Sequence, residues 1–363
     1  VINMTILVDS AILHDAASTV GRAISSKPTM PVLEGILLRA ENGNLTMTAT
    51  DLSLGILVKI TANIQIPGEA VLQGRLFLEI LRLLPKGEVR LVVEGTKATI
   101  SCGDSVFNLV TQPAEEYPAF LNPENTIGFT ISCAQLAECI HRTHFAAAGD
   151  ETRLLLTGQL FEMDGKELSI VALDGFRLAR ATAQAQGDSF SAVVPGKSLT
   201  ELMKTLPSEG EVTIRLNNTH MAFETGGMRV VTRLLVGEYT KYKSLIPDKY
   251  ITRVRVKTEE FRECVGRVAL LAREGNDHRL ALSVKEQLLT MASQSQYGDA
   301  YEEIEAEVEG ETLEICFNAK FLLEILRQID TETMIMTMIS SLSSCTMLPP
   351  EPGNWMYILM PVR

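Results

Sequence analysis

The sequence predicts an α+β protein built as three tandem copies of one domain, each with two helices packed on antiparallel sheet. Three observations carry this. The stretch RLFLEILRLLP (75–85) returns as KSLTELMKTLP (197–207) and KFLLEILRQID (320–330), with starts 122 and 123 positions apart. That spacing is too long for a solenoid repeat and suits a small domain. Alternating apolar and polar runs precede and follow each copy, and each third of the chain opens with a further amphipathic helix.

The opening helices read as AILHDAASTVGRAI (11–24), AQLAECIHRTHFAA (134–147) and EEFRECVGRVALLA (259–272). Strand-like runs come next, broken in the first two copies by turn signals at residues 41–44 and 164–166. In the repeated helix the apolar residues fall at i, i+3, i+4 and i+7: Phe77, Ile80, Leu81 and Leu84, then Leu199, Leu202, Met203 and Leu206, then Leu322, Ile325, Leu326 and Ile329. That is one helix face. Arg75 and Arg82, Lys197 and Lys204, and Lys320 and Arg327 sit seven apart and project from the other side. Glu79, Glu201 and Glu324 lie three residues before the second cation, so ordinary i,i+3 surface pairs account for these charges as well as an anionic partner does. A further pair of runs closes each unit, such as EVRLVVEGTKATISCGDSVFNLVTQ (88–112) and EVTIRLNNTHMAFETGGMRVVTRLL (211–235). Asp51 and Asp174 fall at equivalent places. The domains are expected at 1–122, 123–247 and 248–363.

A chain of 363 residues, 46% hydrophobic and 21% charged, predicts a soluble globular protein with a core in each domain. No apolar run reaches the roughly 20 residues that cross a bilayer, and the start lacks the charged and apolar regions of a signal peptide. A cytoplasmic protein with no membrane partner is expected, with Met4 as the native start after a three-residue extension. Cys102, Cys133, Cys139, Cys264, Cys316 and Cys345 show no CxxC spacing and mostly sit in apolar periodic segments, which predicts small core residues rather than disulfides or zinc ligands. The balance of 33 basic against 45 acidic residues, −12 overall, argues at first against nucleic acid. Distribution outweighs the total. DAYEEIEAEVEGETLE (299–314) holds eight acids and no base, with Glu303, Glu305, Glu307 and Glu309 alternating with apolar residues, as in a half-buried strand with an acidic outer face.

Three domains with cationic helix faces invite a geometric test. Six helices packed about 10 Å apart in a closed ring leave an inner radius of only about 5 Å, too narrow for a duplex. Twelve leave about 14 Å, enough for a duplex and some water. Two chains are then required, and head-to-tail symmetry closes such a ring with one type of contact used twice.

KPTMPVLEGILL (27–38), EEYP (115–118), LDGFRLA (173–179) and MPVR (360–363), together with the threefold repeat, resemble the bacterial β sliding clamp family, the beta subunits of DNA polymerase III. The resemblance runs over essentially the whole chain in one register. It implies a head-to-tail homodimeric ring of clamp-type domains with helices facing duplex DNA, which is encircled without regard to sequence. It also implies DNA replication as the process, processivity for the replicative polymerase as the function, and no catalysis of its own. By family position Lys27 and Arg75 face DNA, and Arg82, Lys197, Lys204, Lys320 and Arg327 follow by the repeat. The family's pocket for linear peptides of polymerases, the clamp loader, and repair and mismatch-repair proteins maps onto Leu156, then Leu173, Gly175, Phe176, Arg177 and Leu178. It continues through Thr240, Ser244, Leu245 and Ser344, and ends with Ile358, Met360, Pro361, Val362 and Arg363. An apolar groove with a polar rim suits a peptide bearing Leu or Phe. The dimer contact maps onto Phe107 and Leu109 of one chain against Leu270 and Leu271 of the other.

The chain departs from the family pattern at several places. Leu154 and Leu155 stand where some members carry tyrosines near DNA, Leu173 where Thr is common and Thr240 where Pro is frequent. The usual final Leu is missing after Arg363. Two other functional classes stay open from the residues alone. One is a peptide-binding scaffold that makes no DNA contact. The other is a metal-dependent hydrolase using His141 and His144, three apart on a helix, with Asp150 and Glu151 nearby. The sequence has no HExxH, GxxxxGK[ST] or GxGxxG and no convincing Ser-His-Asp spacing, so no catalytic residue, metal or cofactor is expected.

Overall fold

Each repeat folds from its periodicity into strand, helix, strands, helix, strands. The computed structural model describes residues 2–25, 27–123, 126–275 and 278–362, with the side chains of Ile2 and Glu151 left out. The first repeat holds β1 (Ile2–Asp9), α1 (Ser10–Gly21), β2 (Gly35–Glu41), β3 (Asn44–Thr50), β4 (Leu54–Thr61), β5 (Asn63–Ile66), β6 (Gly68–Gln73), α2 (Gly74–Leu83), β7 (Glu88–Glu94), β8 (Lys97–Cys102) and β9 (Ser105–Gln112). The second holds β10 (Ile127–Ser132), α3 (Cys133–His144), β11 (Gly158–Met163), β12 (Glu167–Leu173), β13 (Arg177–Gln184), β14 (Phe190–Pro195), α4 (Gly196–Thr205), β15 (Glu211–Leu216), β16 (His220–Thr225) and β17 (Met228–Arg233). The third holds β18 (Thr252–Lys257), α5 (Thr258–Ala272), β19 (Arg279–Lys285), β20 (Leu288–Ser295), β21 (Gly298–Glu305), β22 (Glu307–Gly310), β23 (Leu313–Asn318), α6 (Ala319–Leu326), β24 (Thr333–Met338), β25 (Cys345–Leu348) and β26 (Trp355–Leu359).

The repeated helices of the first and third repeats begin at polar caps. Gln73 Oε1 accepts from Leu76 N at 2.7 Å, and Asn318 Oδ1 accepts from Lys320 N at 3.0 Å and from Phe321 N at 3.3 Å. α2 stops at Leu83 because Leu84, just before Pro85, is forced into the extended region. Phe77, Ile80 and Leu81 are buried, as are Leu199 and Leu202, and Leu322, Ile325 and Leu326. α6 buries Leu323 as well, so its apolar face is wider than the spacing predicts. All six cysteines are buried and free.

The described residues pack as two compact units, 1–134 with 197–234 and 135–196 with 235–363. In the first unit one 13-stranded sheet joins the first repeat to the closing strands of the second, through β4 and β17. In the second unit a nine-stranded sheet joins the opening strands of the second repeat to the third, through β13 and β26, and a four-stranded sheet runs β21-β20-β19-β23. Each unit therefore contains one junction between successive repeats. The acidic run 299–314 was expected as one strand, but it breaks at the buried Ala306 into two. β21 lies at the edge of the four-stranded sheet and β22 at the edge of the nine-stranded one. The acidic residues Glu303, Glu305, Glu307 and Glu309 still point to solvent.

Candidate functional site

Among the residues expected to face DNA, Lys27, Arg75, Arg82, Lys197, Lys204, Lys320 and Arg327 are all exposed. The expected i,i+3 pairing is made only in the second repeat, where Glu201 takes Lys204 at 2.8 Å and also Arg22 at 3.3 Å. Burial pushes the Glu201 carboxyl up, but the hydrogen bonds from Lys204 and Arg22 outweigh that and hold it below the ordinary range. Glu324 bonds Arg177 rather than Arg327. Among the described residues, Lys27, Arg75, Arg82, Lys320 and Arg327 make no ion pair, so five of these cations stand unneutralised. Leu154 is exposed, whereas Leu155 packs on the peptide-site cluster and closely against Gly237.

Several residues expected to line the peptide site come together within the second unit. Leu156, Leu173, Leu178 and Ile358 join one apolar cluster with Leu160, Val171, Val193, Tyr239 and Tyr242. Asp174 builds its rim, because Oδ1 accepts from Phe176 N at 2.9 Å and from Arg177 N at 3.0 Å, closing a turn that Gly175 completes at a φ of 96°. Asp51 makes the same turn in the first repeat, accepting from Ser53 N at 2.8 Å and Leu54 N at 2.7 Å. Phe176 is left exposed, stacked on Phe321 with ring centroids 5.8 Å apart. Met360 N donates to Phe176 O and Val362 N to Cys316 O, both at 2.8 Å, which pins the C-terminal segment along this rim. Leu245 and Met360 are exposed and apolar, Thr240 and Ser244 are exposed, and Ser344, Pro361 and Val362 are half-buried. Arg363 lies outside the described residues. A cavity of about 610 Å³ adjoins the cluster, lined by Leu160, Tyr239, Thr240 and Tyr242 among others. On its wall Glu162 accepts from Tyr242 Oη and Lys243 Nζ, both at 2.8 Å; burial raises its carboxyl, and these bonds bring it below the ordinary range.

Arg177 is buried rather than presented to a ligand. Its Nε donates to Asp174 Oδ2 at 3.0 Å, its Nη1 to Glu324 and its Nη2 to Phe145 O at 2.8 Å, and the guanidinium lies over the Phe321 ring at 4.5 Å. It is a strut tying the rim to α6. Arg142, which the sequence did not single out, is a second one: Nε donates to Glu138 at 2.8 Å, Nη1 to Gln328 O at 2.9 Å and Nη2 to Asp330 at 2.8 Å. Burial disfavours its charge, and the bonds from Glu138 and Asp330 more than restore it. Phe321, which stacks on Phe176, was also missed.

Among the described residues His141 and His144 are not gathered with other ligands into a metal centre, and the Glu151 side chain of that expected set lies outside the described residues. Half-buried His144 puts Nδ1 3.1 Å from Gln159 Nε2, its pKa is lowered by burial and then by His141, and Asp150 instead caps Thr152. Among the described residues no group of three or more His, Cys, Asp or Glu is placed to hold an ion.

The two junctions use equivalent strands. β4 and β13 each follow the Asp51 or Asp174 turn, β17 and β26 each end their repeat, and the registers agree, with Leu54 opposite Thr232 and Arg177 opposite Leu359. Among the described residues the remaining strands of the same kind, β21 and β9, have no such partner: β21 pairs only with β20, and β9 pairs with β8 along its length but with β6 only at Thr111 and Gln112. Val106, Phe107 and Val110 on β9 are exposed and Leu109 half-buried, while Leu270 on α5 is exposed and Leu271 half-buried. At the second junction Phe145, just past α3, meets Tyr357 of β26 edge-on at 5.7 Å. Counting from the first helical residue, Leu270 is the counterpart of Phe145, and by hairpin and junction register Phe107 is the counterpart of Val230 and Tyr357.

A chain of three like domains, with exposed cations on the repeated helix, an apolar rimmed groove and one unfilled junction at each end, has the build of a clamp protein. Residues 4–121, 130–241 and 243–363 match the N-terminal, central and C-terminal domain families of the DNA polymerase III beta subunit. The "Beta sliding clamp" of Streptomyces coelicolor is 33% identical over 99% of both chains, and that of Bacillus subtilis 32% identical over 97% of both. The crystal structure of the Bacillus subtilis DNA polymerase sliding clamp superposes with a TM-score of 0.96 over 99% of both chains. A Pseudomonas aeruginosa sliding clamp bound to griselimycin superposes at 0.94, with 29% identity, over 99% of this chain and 100% of that one. The chain belongs to the DNA polymerase III beta subunit family.

Proposed function

We infer that the chain is a DNA sliding clamp that acts in replication as a head-to-tail homodimeric ring. The observation that carries this is the pair of equivalent junctions inside the chain together with the open sides of β21 and β9, which among the described residues lack a junction partner. A second copy offers β9 to β21 and β21 to β9, so two chains and six domains close a ring with both outstanding junctions filled. Phe107 and Leu109 then meet Leu270 and Leu271, as Tyr357 meets Phe145 within the chain. Lys27, Arg75, Arg82, Lys197, Lys204, Lys320 and Arg327 face the enclosed duplex. Enclosure supplies the retention, and a few exposed cations on a chain of net charge −12 give weak, salt-screened contacts that allow sliding.

The groove around Leu156, Leu173, Leu178 and Ile358, rimmed by Phe176, Leu245, Met360 and the residues near them, takes linear peptides of the replicative polymerase, the clamp loader and repair proteins. Apolar peptide side chains fill the groove, and the backbone lies along the pinned C-terminal segment. Leu173 and Thr240 tune the preference. The domains divide near 122 and 247. The protein does no chemistry, needs no cofactor and acts in the cytoplasm; among the described residues no helix is long and apolar enough to cross a membrane.

Small-angle X-ray scattering on the pure protein tests this. The expected particle has twice the mass of one 39.9 kDa chain and a central cavity. A compact particle of single-chain mass at micromolar concentration would overturn it.

A further inference from the structure

The strands that carry the apolar groove run on past it. Leu178 on β13 pairs with Ile358 on β26, and the next pair on the same face of the sheet, Arg180 opposite Met356, lies about 7 Å further along. Met356 also packs against the groove cluster. It is shared with a second cavity, of about 330 Å³, lined by Arg180, Thr182, Leu348 and Met356 and by the loop 349–354. That loop is stiff. Pro349, Pro350 and Pro352 fix three of its φ angles, and Gly353 lies so close to Pro349 that a β-carbon there would stand 2.5 Å from the proline Cγ. The cavity is therefore held open by its own wall. Leu348 and Met356 offer it a half-buried apolar floor. Arg180 gives Nε and Nη2 to Ser169 Oγ, and Nη2 also to Glu167, while its Nη1 and the Thr182 hydroxyl make no hydrogen bond among the described residues. An apolar floor with unfilled donors at its edge suits extended peptide, which brings a side chain for the one and a carbonyl for the other.

We propose that this cavity is a further subsite for the partner peptide that fills the groove, taking a large apolar side chain two residues on from the groove-filling one, with Arg180 Nη1 donating to a backbone carbonyl of the peptide. The proposal rests on the groove reading and deepens it. An extended chain advances about 3.3 Å per residue, so the residue two on from one seated over Leu178 and Ile358 arrives over Arg180 and Met356. Sharing Met356 makes the cavity continuous with the groove, which selects the same peptide over an unrelated occupant. Because the wall is preformed, little ordering opposes the contact. Partners with the same groove-filling residues are thus ranked by the residue they place here.

Fluorescence anisotropy on the full chain tests this with labelled peptides. The core probe carries Leu and Phe as its only apolar residues. Longer probes add Ser-Phe at the N-terminal or at the C-terminal end, and their controls add Ser-Ser. Leu348→Ser removes part of the floor and Thr182→Arg fills the cavity, and neither residue belongs to the groove cluster. Circular dichroism melting checks that each variant is folded. One of the Phe-extended probes should bind the wild type about tenfold tighter than its Ser-extended control, the effect of covering one large apolar side chain. That gain should vanish in both variants while the affinity of the core probe holds. Arg180→Met, which keeps an apolar stem and loses the donors, should weaken the extended probe and its control alike and spare the core probe; unchanged affinities there would overturn the carbonyl contact. Phe-extended probes no tighter than their controls, or a gain that survives both variants, would overturn the subsite and leave the groove standing. A core probe that does not bind the wild type would remove the groove and the subsite together.

Discussion

The two junctions inside the chain share a strand topology and a register, yet they secure their helices by different means. At the first, Arg22 reaches Glu201 at 3.3 Å with side chains 37% and 25% exposed. At the second, Arg142 and Arg177 are buried and between them make six hydrogen bonds, three of them to backbone carbonyls or carboxylates of the third repeat. A pair in water gains little over its hydrated ions, whereas a buried guanidinium is tolerable only when its donors are filled, and then its removal strands every acceptor. The second junction is thus the rigid one, and the Asp174 turn, the rim of the proposed peptide site, is built on it.

The largest effect is expected from Arg142→Ala. It leaves Glu138, Gln328 O and Asp330 without their donor and opens a cavity where the side chain, 9% exposed, now lies. The loss should be about 2–4 kcal/mol, from the cavity and the Gln328 carbonyl left without its donor, since Glu138 and Asp330, 44% and 71% exposed, regain water. Urea unfolding followed by circular dichroism would measure it, and a loss below that for Arg22→Ala would reverse the ranking of the junctions.

Arg177→Lys should come next. A lysine keeps the charge but cannot bond Asp174, Glu324 and Phe145 O together or lie flat over the Phe321 ring. A cost of about 1–3 kcal/mol follows from the unfilled acceptors. The readout specific to this junction is peptide affinity. The Asp174 turn presents Phe176, whose carbonyl holds Met360, so a looser turn should weaken binding of a Leu- or Phe-bearing peptide while Arg142→Met leaves the turn's own hydrogen bonds in place. Fluorescence anisotropy with a labelled peptide would show it; equal affinity in Arg177→Lys and wild type would mean that the rim does not depend on the strut.

The difference between the junctions was not legible in the sequence, and the reason is physical. Helices and strands announce themselves through local periodicity, which is why the stripe Phe77, Ile80 and Leu81 and its two copies could be placed on core faces and the cations opposite them. Glu324 gave the same local signal as Glu201, a carboxylate three residues before a cation, yet its partner is Arg177, 147 residues away. Nothing in a single chain of letters marks a pair so distant. Phe321 was hidden for a related reason, since only the fold brings it beside Phe176. The acidic run read as one strand because alternation persists across Ala306, although the backbone changes sheets there. The Asp174 turn was recoverable because LDGFRLA carries its own turn chemistry in Asp174 and Gly175, while the cavity beside the apolar cluster depends on a segment more than sixty residues further on.

The smallest effect sharpens the comparison most. Arg22→Ala should cost only about 0.2–1 kcal/mol at neutral pH, as exposed pairs do. The carboxyl of Glu201 titrates below its ordinary 4.5 in the folded chain, because the bonds from Lys204 and Arg22 outweigh the opposing effect of burial. A depressed carboxylate contributes stability that is fully present above the unfolded value and is lost as the pH falls through the folded one. The gap between wild type and Arg22→Ala should therefore hold from neutral pH down to the ordinary carboxylate value and close as the pH falls through the lowered folded one, where Glu201 takes up its proton and has no charge to offer Arg22. Paired urea titrations at the two ends of that range decide the matter. A gap that survives in acid would assign the role of Arg22 to the packing of its aliphatic stem rather than to its charge, and the first junction would then differ from the second in kind as well as in strength.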